Sequence, residues 1–143
     1  MSADIDIVTE VGDDLVVAFD RLIPQLSTTA PPPGRVGLEA IVGNPNCALF
    51  VARVDGEIVG SLTLATYPLP TGLKAWIDDV VVDNGVRGRG VGEALNHAAL
   101  EEARRRGAKE VDLTSRPNRE AANRLYQRLG FVARETNVYR YRL

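Results

Sequence analysis

The six residues Arg87-Gly88-Arg89-Gly90-Val91-Gly92 bring three glycines and two guanidinium groups into one short stretch. Glycine lets a backbone turn tightly and approach a ligand with no Cβ in the way. The stretch stands between an apolar run, Val80-Val81-Val82, and a segment with helical periodicity from Arg89 to Arg106. A helix start leaves amides unpaired and carries the positive end of the macrodipole. The chemistry on offer is therefore anion binding, phosphate above all, and Arg87 and Arg89 place charge where a pyrophosphate would lie. A P-loop would need G-x-x-x-x-G-K-[ST], which is absent. A dinucleotide fingerprint would need G-x-G-x-x-G, and Asp112 even falls about where a ribose-binding acid would stand. Yet only about fifty residues follow Gly92, too few for a dinucleotide fold, and the strands before the turn read as an antiparallel meander.

The elements that must position this turn can be read from periodicity. Asp4 to Glu10 alternates apolar and polar as a short strand does. Asp13 and Asp14 open a helical stretch carrying Leu15, Ala18, Phe19, Leu22, Ile23 and Leu26, with acid in the first turn where the dipole favours it. Ala30-Pro31-Pro32-Pro33-Gly34 is a loop, and Gly37 to Val42 a second short helix. Ala48 to Val54 and Glu57 to Tyr67 are strands joined at Asp55-Gly56, a hairpin signal. Ala75 to Asp83 is a further strand. After the helix Arg89 to Arg106, with Gly107 at its C-terminal end, come a strand Glu110 to Ser115 and a helix Arg119 to Leu129 ended by Gly130. Phe131 to Glu135 and Val138 to Leu143 are expected to close the chain as two strands. The order βα(α)βββαβαββ predicts an α+β fold, a mixed sheet with helices on its faces.

Composition bounds the function. At 143 residues the chain fits one domain, residues 1–143. One cysteine and one histidine exclude an internal disulfide and Cys/His-rich metal sites, so no metal is expected. No apolar run is long enough to span a membrane, and the acidic start Met-Ser-Ala-Asp shows no signal peptide; a cytoplasmic, soluble protein is the expectation. With a pI of about 5.4, nucleic acid and membrane surfaces are not expected partners. Residues 1–83 hold 12 acidic and 4 basic side chains, a net of −8, and residues 84–143 hold 7 and 13, a net of +6. The split suggests an anionic ligand on the C-terminal half and a cationic one near the N-terminal half, although 15 of the 17 basic residues are Arg, a bias that can scatter charge by itself.

Two motifs together carry a family resemblance. Arg87-Gly88-Arg89-Gly90-Val91-Gly92 fits [QR]-x-x-G-x-[GA], and Ala122-Asn123-Arg124-Leu125-Tyr126-Gln127-Arg128-Leu129-Gly130-Phe131 fits A-x-x-L-Y-x-x-L-G-F. Together with the strand Ile77-Asp78-Asp79-Val80-Val81-Val82-Asp83 they resemble the GNAT superfamily of acetyl-CoA-dependent N-acetyltransferases. The element order matches over essentially the whole chain, residues 1–45 in layout only. The resemblance implies a mostly antiparallel sheet of six to seven strands, helices on both faces, and central strands that splay apart.

It also implies roles. The backbone of Arg87, Gly88, Arg89, Gly90, Val91 and Gly92 would cradle the pyrophosphate of acetyl-CoA, the cosubstrate. The backbone of Val80, Val81 and Val82 would pair with the pantetheine arm as if it were an added strand. Tyr126 would be the general acid that protonates the departing thiolate. Asp78 and Asp79 lie in mid-strand, where carboxylates are otherwise unfavourable. Either could take a proton from a cationic amine or hold it; alternation puts them on opposite faces, and Asp78 ranks first because it shares parity with Val80 and Val82. Where the family often carries a cofactor-contacting Asn, seven residues before the Tyr, this chain has Arg119, so Asn118 and Asn123 are the substitutes, Asn118 doubling as a helix cap. The implied reaction is acetyl transfer to a primary amine, of a small molecule or peptide, within a ternary complex; a homodimer, common in the family, is left open. Two other readings compete: an acyl-CoA-binding sensor without catalysis, and a nucleotide-binding module.

Overall fold

The computed structural model describes residues 2–143. The elements are β1 (Asp4–Ile7), α1 (Asp13–Leu26), α2 (Gly34–Val42), β2 (Cys47–Val54), β3 (Glu57–Leu69), β4 (Gly72–Val82), α3 (Val91–Arg105) and α4 (Glu120–Leu129), with a 3-10 turn at Asn84–Val86 between β4 and α3. The four strands form an antiparallel sheet in the order β1-β2-β3-β4. Side chains alternate across it. Ala48, Phe50, Ala52, Leu62, Leu64, Ala75 and Ile77 pack with Val91, Leu95, Ala99 and Ala103 of α3 on one face. Leu49, Val51, Ile58 and Val81 pack with Leu15, Ala18, Phe19 and Leu22 of α1 and Leu38 of α2 on the other. One sheet between two helical layers gives every strand an apolar cover.

The β4–α3 junction requires close packing. A Cβ on Gly60 would stand 3.1 Å from the Val81 carbonyl oxygen and 3.2 Å from side-chain atoms of both Val91 and Leu95, so a glycine in β3 lets the first turns of α3 lie against the sheet. At its far end α3 is fixed by buried Glu102, which accepts from Arg105 and Arg106; Arg106 in turn donates to Thr66 Oγ1 (3.0 Å) on β3. These two guanidinium groups, Arg105 first, hold the Glu102 carboxyl below its usual range.

The sheet is smaller than six to seven strands. Glu110 to Ser115, expected as a strand, joins β4 at a single parallel bridge, Trp76 with Asp112. There the Ile77 amide donates to the Asp112 carbonyl (2.9 Å) and the Asp112 amide to the Ala75 carbonyl (3.0 Å). Beyond the bridge no ladder joins the two segments. Without a continuous ladder there is nothing for later strands to extend, because an isolated strand pair is marginal in water. Accordingly Phe131 to Glu135 and Val138 to Leu143 are not strands, and Val138, Tyr139 and Tyr141 are exposed. The α+β class, the antiparallel core and the helices on both faces stand as expected. No helix among the described residues is long and apolar enough to cross a membrane.

Candidate functional site

The end of β4 is built to leave backbone groups open. Pairing with β3 runs Thr63–Asp78 and then Ser61–Val81, so two residues of β4, Asp79 and Val80, stand against Leu62 alone. This is a β-bulge, and Asp79 takes the left-handed conformation (φ 50°) that it needs. Few residues other than glycine adopt that conformation, Asn and Asp being the most tolerant. Past the bulge the Asp83 amide donates to the Val59 carbonyl (2.8 Å). The alternation of an antiparallel ladder therefore turns the backbone of Val81 toward β3 and that of Val80 and Val82 toward the open edge. The Asp112 segment bridges β4 at Trp76 and forms no ladder along that edge.

The bulge also inverts side-chain parity. Ala75 and Ile77 face α3, and so do Val80 and Val82, whereas Val81 faces α1. Asp78, preceding the bulge, lies on the α1 face with Lys74 and Trp76, not on the face of Val80 and Val82. The parity argument that ranked Asp78 first is thus corrected; its place on the α1 side, away from α3, is what the fold provides. Asp78 is cross-strand from Thr63. Asp78 is exposed, yet desolvation by the protein around it, and then the charge of Asp79, push its carboxyl above the ordinary range, the direction useful for accepting a proton.

Gly88 (φ 82°) and Gly90 (φ 78°) both adopt left-handed backbone, and a Cβ built on either meets nothing within 4 Å. Gly90 is the residue that caps α3, with no side chain satisfying the helix start. The Ala94 amide is the first to find an intrahelical partner, the Gly90 carbonyl (3.0 Å), so Val91, Gly92 and Glu93 carry the orphan amides of the first turn. Arg87 and Arg89 flank them, both exposed. An open helix start with unpaired amides and nearby cations fits a pyrophosphate group.

Three elements meet beside it. A Cβ on Gly92 would stand 3.5 Å from Leu125 Cδ2 and 3.8 Å from Val82 Cγ2, so α4 rests on the helix start and the end of β4. The next residue, Tyr126, is 8% exposed and meets Phe131 edge-on at 5.7 Å between centroids. Gly130 (φ 100°) ends α4 by turning left-handed, and the Phe131 amide donates back to the Tyr126 carbonyl (2.9 Å). Burial pushes the Tyr126 phenol above its ordinary range, with Arg119 opposing. A phenol held protonated is an acid, not a base.

The remaining candidates are placed differently. Arg119, not Asn118, caps α4, and no side chain bonds to the helix start; Asn118 is exposed in the preceding turn. Asn123 Nδ2 donates to the Arg116 carbonyl (3.0 Å), closing that turn. Asp112, the apparent ribose acid, is paired with Lys74 (2.6 Å), whose ammonium lies 5.3 Å from the Trp76 ring centroid. Sequence reasoning passed over Arg21 and Gln25 of α1, which reach the β4–α3 turn. Their signal was a pair of long polar side chains at helical i, i+4 spacing in the last turns of α1.

Replacing Asp78 by Asn is expected to cut kcat/KM for an amine about 10²-fold and to raise the melting temperature at pH 7. The sign follows from the upward shift: the ionised form costs more in the folded chain than in the unfolded one. Stability tied to this group is greatest below the ordinary carboxyl range and falls as pH rises through the raised value. The gain on substitution should therefore vanish in acid. Thermal melts from pH 4 to 8 beside steady-state rates check both halves, and an unchanged kcat/KM would remove Asp78 from the chemistry.

The model of the acetyltransferase (GNAT) family matches residues 16–131. A glucosamine 6-phosphate N-acetyltransferase of Trypanosoma brucei brucei is 39% identical over 119 residues, 78% of this chain and 79% of that protein. An uncharacterized N-acetyltransferase of Methanocaldococcus jannaschii is 36% identical over 89 residues, 60% of this chain but only 39% of that protein, so the chain spans well under half of that relative. Among solved structures, a Trypanosoma brucei acetyltransferase superposes with a TM-score of 0.79 at 27% identity, covering 98% of this chain and all of that one. The motifs at Arg87–Gly92 and Ala122–Phe131, the bulged strand between two helical layers and these similarities lead to one assignment: the chain belongs to the GNAT acetyltransferase family.

Proposed function

We propose that residues 1–143 form one cytoplasmic acetyltransferase domain that moves an acetyl group from acetyl-CoA to a primary amine, the amine being cationic when it arrives. One observation carries this reading: the bulge at Asp79 turns the backbone of Val80 and Val82 to an open edge that runs directly into the cradle of Gly88 and Gly90. A pantetheine arm bears amide groups that can pair along such an edge, and its pyrophosphate would then reach the amides of Val91, Gly92 and Glu93. Acetyl-CoA, when bound, supplies the activated acetyl group. Asp78 accepts a proton from the ammonium form of the acceptor, freeing a lone pair. The amine nitrogen forms the new C–N bond as the C–S bond breaks, and Tyr126 delivers its phenolic proton to the departing sulfur. The acylated nitrogen sheds its surplus proton to water, water returns a proton to the Tyr126 phenolate and takes the one held by Asp78, so the products are a neutral amide, free CoA thiol and one proton released to solvent.

The acidic character of residues 1–83 supports a cationic acceptor over an acidic one. The Trypanosoma relative is named for an amino sugar, which keeps small amino sugars among the candidates. Release of CoA thiol from acetyl-CoA, screened against polyamines, aminoglycosides, glucosamine 6-phosphate, amino acids and peptides, tests the proposal. Turnover is expected with a cationic amine. Thermal stabilisation by CoA with no thiol release on any acceptor would overturn it in favour of a binding module, and stabilisation by nucleotides but not CoA would overturn the cradle assignment too.

A further inference from the structure

The turn that carries the cradle is held by a helix on the opposite side of the sheet. Gln25, near the C-terminal end of α1, makes two contacts with it: Oε1 accepts from the Asn84 amide (2.9 Å) and Nε2 donates to Asp83 Oδ1 (3.3 Å). Arg21, one turn earlier, approaches Asp83 Oδ2 at 3.5 Å and donates to the Ile58 carbonyl on β3 (2.5 Å). Gln25 Nε2 also lies within donating distance of the Arg21 carbonyl (3.2 Å), which sets the amide orientation. Asp83 completes the arrangement by accepting from the Gly85 amide (3.4 Å) and, through its carbonyl, from the Val86 amide (3.0 Å).

We infer that Gln25, seconded by Arg21, is a positioning residue for the β4–α3 turn and sets how tightly the Gly88–Gly90 cradle binds the pyrophosphate of CoA. The inference rests on the acetyl-CoA reading above. Its physical ground is that Asn84 to Gly90 is exposed apart from partly buried Val86, with glycine at positions 85, 88 and 90. A glycine-rich segment loses more conformational freedom on ordering than any other, so whatever fixes it before the ligand arrives reduces that cost at binding. Gln25 is the side chain that holds a backbone amide within the turn from outside it. The Arg21–Asp83 pair, half exposed on the Arg side and at 3.5 Å, contributes less. Because α1 packs on the Asp78 face, one helix spans from the acceptor side to the cofactor turn.

The test is isothermal titration with CoA together with steady-state kinetics on wild type, Gln25→Leu and Gln25→Glu. Gln25→Leu removes both bonds to the turn while keeping an apolar stem and helix propensity. It is expected to raise the CoA dissociation constant and the acetyl-CoA KM about tenfold, the scale of one or two neutral hydrogen bonds, with kcat and the amine KM within about twofold. Gln25→Glu keeps an acceptor for the Asn84 amide but sets a second carboxylate against Asp83, so a similar loss is expected at pH 8; it also serves if the Leu variant does not fold. Unchanged CoA affinity in either folded variant, while wild type binds CoA, would overturn the inference and leave the acetyl-CoA reading intact. Equal losses in kcat and affinity with a collapsed melting temperature in both variants would assign Gln25 a merely structural role. Wild type that does not bind CoA at all would overturn both.

Discussion

Tyr126→Phe is expected to lower kcat about 10²-fold with the acetyl-CoA KM changed by less than about twofold. The substitution opens no hole. Phe keeps the ring, so the edge-on contact with Phe131 and the seat of α4 against Gly92 survive, and only the oxygen is lost. Burial holds that oxygen protonated. Wild type should therefore keep its acid form through the neutral range, with the falling limb of its pH profile lying above the ordinary phenol range. The variant should lose that limb altogether. Its deficit should also shrink for donors whose thiol leaves easily, because a low-pKa leaving group has less need of a proton. Rates with acetyl-CoA and with an activated acetyl thioester, measured across pH, decide the matter. Full activity of the variant with both donors would assign the proton to water instead and leave Tyr126 as packing.

The legible parts of this fold are those where a local rule meets no competitor. Gly107 and Gly130 end α3 and α4 in left-handed backbone, with the Ala108 amide donating to Ala103 and the Phe131 amide to Tyr126; glycine after an apolar helical stripe announces this ending in the sequence. Asp55-Gly56 likewise announces the β2–β3 hairpin. The Val80-Val81-Val82 run and the glycines after it predicted a strand and a tight turn into a helix, and these lie together; the anion-binding role of that turn is the proposal. What escaped is what only tertiary pairing decides. Strict alternation assigned Asp78 to the face of Val80, and a single extra residue in β4 inverted every position beyond it. The doublet Asp78-Asp79 was the available sign, since two adjacent carboxylates within an apolar strand need an irregularity to reach water. Val138-Tyr139-Arg140-Tyr141 alternates as a strand does, but alternation cannot supply a partner, and the Asp112 segment meets β4 at one bridge only. Charge patterning suggested differently charged ligands for the two halves, yet it could not show that Arg21 and Gln25, from the acidic half, reach across to the turn that opens the basic one.

Gly90→Val should raise the CoA dissociation constant about 10²-fold and lower the melting temperature by a few degrees, while Gly90→Asn should weaken binding comparably but cost markedly less stability. Gly90 stands at φ 78° with nothing within 4 Å of a built Cβ. A clash with the protein is therefore not the mechanism. The first cost is conformational: left-handed backbone disfavours an L residue by about 1–2 kcal/mol, more for a β-branched one, and Asn visits it several-fold more readily than most residues. The second cost falls on the ligand. The space a Cβ would enter is the opening onto the Val91, Gly92 and Glu93 amides, and charge-assisted hydrogen bonds are worth about 1.5–3 kcal/mol each, so displacing one or two of them accounts for the larger part of the loss. Gly85 provides the control, because it too has nothing within 4 Å but does not adopt left-handed backbone; Gly85→Ala should leave both quantities almost unchanged. Titration of CoA into the four proteins, with melts in parallel, separates the two costs. If Val and Asn at position 90 were equally harmful to binding but unequal in stability, the ligand-side term would dominate; if binding did not change in either, the glycine cradle would not be where the pyrophosphate sits.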